Sequence, residues 1–158
     1  MERTVRTIRI RHENIGEELT DAEAMAALAG ETFPIRERVP EAAGEAFDWL
    51  SWYAAWRAAR GLTAGDAGPT HLKLEAADGF EAIVPWEQLS GAAVVFAMDG
   101  GPLAKNGPLR FYVPNGTSKC LNVKQVIGIS IERDRNFRGE ASYGFKTTFQ
   151  PEELRKGV

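Results

Sequence analysis

The chain has 158 residues, a net charge of −3, one cysteine and 44% hydrophobic residues. That length and apolar content suit a single folded domain spanning 1–158 and argue against disorder. The acidic balance argues against general nucleic-acid binding, the lone cysteine excludes an internal disulfide, and no apolar run reaches membrane-span length. The opening MERTVRTIRIRHE is too polar for a secretory leader, so a cytoplasmic protein, with neither nucleic acid nor membrane as partner, is expected.

Thr4 to His12 alternates and reads as a strand, with Val5, Ile8 and Ile10 as its apolar positions. Arg3, Arg6, Arg9 and Arg11 make it basic, which fits an edge strand kept soluble by charge or one wall of an anion site. Thr20 reads as an N-cap, with Glu23 completing a capping box for a helix from Ala22 to Ala29 that Gly30 ends. Glu31 to Glu45 reads as a loop holding Pro34, Pro40 and the mixed-charge Arg36-Glu37-Arg38.

A second helix is expected from Glu45 to Arg60, closed by Gly61. Phe47, Leu50, Ala54 and Ala58 form one apolar stripe; Trp49, Trp52, Tyr53 and Trp56 form another. Three of the four tryptophans of the chain therefore share one helix. Such a surface can pack within the subunit, line a pocket, or form a homo-oligomer contact through Trp49, Trp52 and Trp56.

Residues 70–132 are the most patterned part of the chain. His71 to Glu75 alternates, Asp78-Gly79 makes a turn, and Phe80, Ala82 and Val84 alternate again until Pro85, so the segment reads as a hairpin. Trp86 to Leu89 is a helical turn or loop, and Ala92 to Met98 suits a strand buried on both faces. Asp99-Gly100-Gly101-Pro102 breaks that run. Leu109 to Val113 is a further strand stopped by Pro114-Asn115-Gly116, and Val126 to Ile131 another, with Gly128 as a bulge or close approach. A polar segment, Arg133 to Arg138, leads to a last strand between Ala141 and Phe149 and a terminal turn at Pro151 to Leu154.

Asp78-Gly79-Phe80, Val84 to Leu89, Asp99 to Leu103, Gly107 to Pro114, Val123 to Val126 and Ile129 to Glu132 occur in that order. In this order they resemble the molybdopterin-binding domain of the sulfite oxidase family. The Gly-Pro-Leu-Arg block with the later Val-Lys is the specific part. The resemblance implies an α+β fold with a mixed, mostly antiparallel, partly barrel-like sheet and short helices. It also implies molybdopterin as the cofactor of active members, held through a cysteine thiolate that precedes the central stretch. Residues 1–69 contain no cysteine. The resemblance therefore points to a non-catalytic relative that binds a small anionic or pterin-like ligand. Its alternatives are an oxidoreductase with atypical metal ligation, or an interaction module using the tryptophan helix.

The loop Pro114 to Cys120 offers hydroxyls, backbone N–H groups and positive charge for an anion. Asn115, Thr117, Ser118, Lys119 and Lys124 are the candidate cofactor-binding residues, and the resemblance places Lys124 beside the cofactor. A cleft between this loop and the tryptophan helix is expected. Cys120 reads as a small, partly buried residue, with a reactive thiol as the other option. His12 and His71 lack metal-ligand spacing and read as structural or exposed. No nucleophile elbow, P-loop or dinucleotide fingerprint occurs, and no catalytic or metal-ligating residue is assigned.

Overall fold

We describe residues 7–62 and 68–145 of a computed structural model. The expected roles of Arg3 and Arg6, Phe149 and the Pro151–Leu154 turn fall outside these residues.

The first strand, β1 (Thr7–His12), buries Ile8, Ile10 and His12 and exposes Thr7, Arg9 and Arg11. It turns back into β2 (Gly16–Asp21), an antiparallel partner rich in charge and without an apolar alternation to announce it. Thr20 pairs with Ile8 and Asp21 with Thr7 across this ladder, so the strand runs through both and the helix begins only after Asp21. The expected N-cap is thus displaced by one residue. Asp21 caps α1 (Ala22–Ala29) by accepting from Ala24 N at 2.8 Å. Gly30, at φ 94°, ends the helix as expected.

The expected loop after α1 contains β3 (Phe33–Pro34) and a 3-10 turn at Ile35–Glu37. The second helix starts later than its periodicity implies. Glu45–Asp48 form β4, which pairs antiparallel with β3 and with β7 (Ala93–Met98). Ala46 and Phe47, both 0% exposed, feed apolar clusters on opposite faces of β4, an arrangement a strand satisfies and a helix does not. Asp48 then caps α2 (Trp49–Ala59), accepting from Ser51 N at 2.9 Å.

The stripe that α2 buries is the aromatic one. Trp49, Trp52 and Trp56 are 0%, 1% and 2% exposed within the single chain. Ala54 and Ala58 face solvent and Leu50 is half-buried. The rings form a run, Trp49 to Trp52 at 5.1 Å and Trp52 to Trp56 at 5.8 Å between centroids. This burial withdraws the surface that a homo-oligomer through Trp49, Trp52 and Trp56 requires.

The expected hairpin is β5 (His71–Ala76) and β6 (Phe80–Pro85), turned at Asp78-Gly79, with a 3-10 turn at Trp86–Leu89 after it. In β7, Ala93 and Val95 pack on one side and Val94 on the other, so the strand is covered on both faces where it begins. Then come β8 (Gly101–Pro102), β9 (Arg110–Tyr112), β10 (Val126–Glu132) and β11 (Ser142–Phe145).

Two sheets result. The larger runs β11-β6-β5-β10-β1-β2, in which β1 and β10 are the one parallel pair. The smaller runs β3-β4-β7-β8, with β9 also on β7. Neither order returns to its first strand, so the mostly antiparallel α+β fold is present without the expected barrel-like closure. Ile8, Leu72, Leu74 and Ile129 of the larger sheet, Phe47, Val94 and Phe111 of the smaller, and the tryptophans of α2 share one core. No helix among the described residues is long and apolar enough to cross a membrane.

Because β10 pairs outside it, β1 is not an edge. Arg9, Gly128 and Glu75 form one row across β1, β10 and β5. A Cβ on Gly128 would lie 2.6 Å from Glu75 Oε1. The missing side chain lets Glu75 reach across β10 to Arg9 Nη2 at 3.5 Å, while Glu17 holds Arg9 Nε at 3.0 Å from the other side. The basic strand is neutralised here, and Arg9 is not part of an anion site.

Candidate anion-binding cleft

The chain leaves β9 through Val113 and turns at Pro114–Gly116, with Gly116 N donating to Val113 O at 3.0 Å. A Cβ on Gly116 would meet Leu121 Cδ1 at 2.9 Å, so glycine lets the loop lie close on that buried leucine. Asn115 Nδ2 donates to Ser90 O, and Thr117 N donates to Gln88 Oε1 at 3.0 Å. Ser118 Oγ accepts from Cys120 N at 3.0 Å and starts a 3-10 turn at Lys119–Leu121.

These bonds change the chemistry expected of the loop. The backbone N–H groups of Gly116, Thr117 and Cys120 are engaged within the chain, whereas those of Ser118 and Lys119, which line the cleft, have no acceptor among the described residues. Asn115 and Thr117 position the loop. Lys119 is exposed and forms no ion pair among the described residues.

The opposite wall comes from the segment after the first 3-10 turn. Arg38 Nη1 donates to Asp48 Oδ1 at 2.7 Å, Gly91 O at 3.0 Å and Ala92 O at 3.2 Å. The guanidinium carbon lies 4.4 Å from the centroid of Phe33. Burial by itself raises the Asp48 carboxyl. Hydrogen bonds from Arg38 and Ser51 outweigh it and hold Asp48 below the ordinary carboxylate range. Arg38 is therefore fixed through one nitrogen and one face. Its Nε and Nη2 have no acceptor among the described residues.

Between these walls lies an open cleft of about 330 Å3, lined by Arg38, Val39, Pro40 and Glu41 on one side and by Thr117, Ser118, Lys119 and Asn122 on the other. The structure so brings three of the five candidates together: Thr117, Ser118 and Lys119. Asn115 does not line the cleft. Lys124 lines an adjoining depression with Asn106, Arg110 and Tyr112, across Asn122. The partner wall is the 38–41 segment, not the tryptophan helix. Arg38 and Glu41 lie 70 or more residues before the loop, and their one visible sign was the Arg36-Glu37-Arg38 patch.

Cys120 is exposed, against the expectation of partial burial, and does not line the cleft. Among the described residues no three His, Cys, Asp or Glu side chains come together as a metal site. The donors of this cleft are hard and cationic, with one carboxylate. They suit oxyanions and N–H groups, and no thiolate is among them.

His12 and His71 are both 6% exposed, in keeping with structural roles. His71 Nε2 lies 3.1 Å from Glu132 Oε1, and its ring stacks on Phe137 at 4.2 Å.

No family model matches the chain, and no curated protein or solved structure matches it.

Proposed function

We propose that the chain is a non-catalytic relative of the molybdopterin-binding domain of the sulfite oxidase family. In this reading it holds a small anionic, pterin-like ligand in the cleft between Arg38 and Lys119. The observation that carries the proposal is the anchoring of Arg38. A guanidinium held by Asp48, two carbonyls and an aromatic face keeps two donors in place for an oxyanion before the ligand arrives. Lys119 adds charge from the other wall, and Ser118 adds a hydroxyl. Glu41 supplies an acceptor, which matches the ring N–H groups of an aminopyrimidinone. A volume of about 330 Å3 suits a bicyclic ring with a short acidic tail. The lack of cysteine before residue 70 and the position of Cys120 outside the cleft support the non-catalytic reading.

Calorimetric titration of the full chain with a pterin phosphate, and with inorganic phosphate, tests this. Saturable binding of the pterin phosphate is expected. Lys119→Ala should weaken it about tenfold or more, as for a lost charge-assisted hydrogen bond. Glu41→Gln should weaken the pterin phosphate and spare inorganic phosphate, whereas Lys124→Ala should change affinity less than Lys119→Ala. No binding of either compound, or binding indifferent to Lys119→Ala, rejects the proposal.

A further inference from the structure

Asn106-Gly107 and Asn115-Gly116 are the two Asn-Gly steps of the chain. Such a step is chemically weak, because a residue without a side chain lets its backbone nitrogen reach the side-chain carbonyl carbon of the asparagine before it. Sequence alone makes the two steps equivalent. Exposure favours Asn115, which faces solvent while Asn106 is half-buried. The hydrogen bonds reverse that order.

At Asn115 both reacting nitrogens are held. Gly116 N, the nucleophile, donates to Val113 O at 3.0 Å, and Asn115 Nδ2, the leaving group, donates to Ser90 O. Reaction there has to break both bonds first. At Asn106 neither Gly107 N nor Asn106 Nδ2 has an acceptor among the described residues. One backbone bond, Gln125 N to Asn106 O at 3.0 Å, has to open as the chain rotates.

The side-chain bond at Asn106 acts in the other direction. Gln125 Nε2 donates to Asn106 Oδ1 at 3.4 Å, on the oxygen that gains charge when the carbonyl carbon is attacked. Asn106 also lines its depression beside Arg110 and Lys124, with no carboxylate among the lining residues. That positive field favours loss of the amide proton and formation of an anionic intermediate. The fold needs both residues of the step. Asn106 sits at φ 61°, a left-handed conformation that asparagine tolerates, and a Cβ on Gly107 would lie 3.1 Å from Leu103 Cβ and from Leu103 O.

We propose that Asn106 is a site of spontaneous deamidation in the folded protein, with Gln125 Nε2 stabilising the charge that develops on Oδ1. Gly107 N gives its proton to solvent and bonds to Asn106 Cγ. The Cγ–Nδ2 bond breaks, and the amide nitrogen takes a proton from solvent and leaves as ammonia. Water then opens the cyclic imide. Attack at Cγ restores the normal backbone and leaves aspartate; attack at the backbone carbonyl leaves isoaspartate. Nothing is oxidised or reduced. Either product sets a carboxylate beside Arg110 and Lys124 and cancels part of their charge.

The test is peptide mapping by mass spectrometry of the full chain held at mildly alkaline pH, both folded and in denaturing urea. In the folded chain the Asn106 peptide should convert about ten- to a hundredfold faster than the Asn115 peptide, and in urea the two should convert at similar rates. Gln125 lies at φ 59°, which asparagine also tolerates, so Gln125→Asn keeps the backbone and draws the donor back. It should slow Asn106 severalfold and leave Asn115 unchanged. Conversion of Asn115 as fast as Asn106 in the folded chain, or an Asn106 that reacts only in urea, overturns the proposal. Faster conversion of Asn106 in Gln125→Asn makes that side chain a restraint and overturns the role assigned to it. The wild-type comparison decides the site even if the variant fails to fold.

Discussion

Trp52 and Trp56 lie one turn apart on α2 and are equally buried, yet their indole N–H groups meet different fates. Trp56 Nε1 donates to Glu18 Oε1 at 3.4 Å. Arg60 lies 4.5 Å over the Trp56 ring and grips Glu18 with two nitrogens, one of them at 2.8 Å. Hydrogen bonding from Arg60 is also the main cause of the lowered carboxyl of Glu18. Trp52 Nε1 is buried and has no acceptor among the described residues. A buried orphan donor is itself destabilising, so removing it returns part of what the lost ring costs. Trp52→Phe should therefore be the milder change, by about 1 kcal/mol relative to Trp56→Phe. Urea unfolding of both variants with unchanged m-values checks it, and an equal or larger loss at Trp52 contradicts it. Nothing in the sequence distinguishes these two tryptophans, because the difference comes from Glu18 and Arg60, which the fold brings to one of them. The cap of α1 was missed for a related reason: Thr20 and Asp21 are both good N-caps, and the strand runs through both, so the last of them stands at the helix start.

At the scale of elements, Asp48 joins three parts of the structure. It ends β4, caps α2 through Ser51 N and Ser51 Oγ, both at 2.9 Å, and anchors Arg38. Asp48→Ala should lower stability by about 1–2 kcal/mol through the lost cap. It should also weaken ligand binding in the Arg38 cleft as the guanidinium loosens. Asp48→Asn keeps an N-cap oxygen, so it should retain most of the stability and still lose affinity. Thermal unfolding beside calorimetry separates the two effects. The β5–β6 hairpin, β7, β9, β10 with its irregular register near Gly128, and the bounds of α1 were readable from alternation and turn residues. β2 was not, because a polar outer strand has no buried face to pattern it. β4 was not, because Ala46, Phe47 and Asp48 also fit a helical window, and only pairing with β7 decides between the two.

For the whole molecule, acid should act in two stages. The unfolded chain binds a proton on His12 near its ordinary value of 6.5, while in the folded protein burial depresses that value. As pH falls, the unfolded state is thus protonated first. The stability contributed by neutral His12 is complete above 6.5 and is lost as pH drops from there through the depressed folded value. Glu18 and Asp48, also lowered on folding, give a separate loss that begins only near their ordinary values of 4.5 and 3.8. Urea midpoints measured downward from about pH 8 should show both stages, and His12→Gln should remove the first alone. A first stage that persists in His12→Gln assigns it to another group. The candidate cleft belongs to this scale as well, because it joins 38–41 with 117–119, segments distant in sequence whose meeting is set by topology rather than by local pattern.

The parallel pairing of β1 with β10 has a consequence for biosynthesis. Arg9 meets Gly128, encoded about 120 residues later, and a ribosome adding about 5–20 residues per second needs roughly ten seconds to bridge that gap. Throughout that interval the leading hairpin carries a bare flank of amides, a template for the same hairpin on the next nascent chain of a polysome. Dense translation of one message therefore exposes this architecture to mispairing between neighbouring chains.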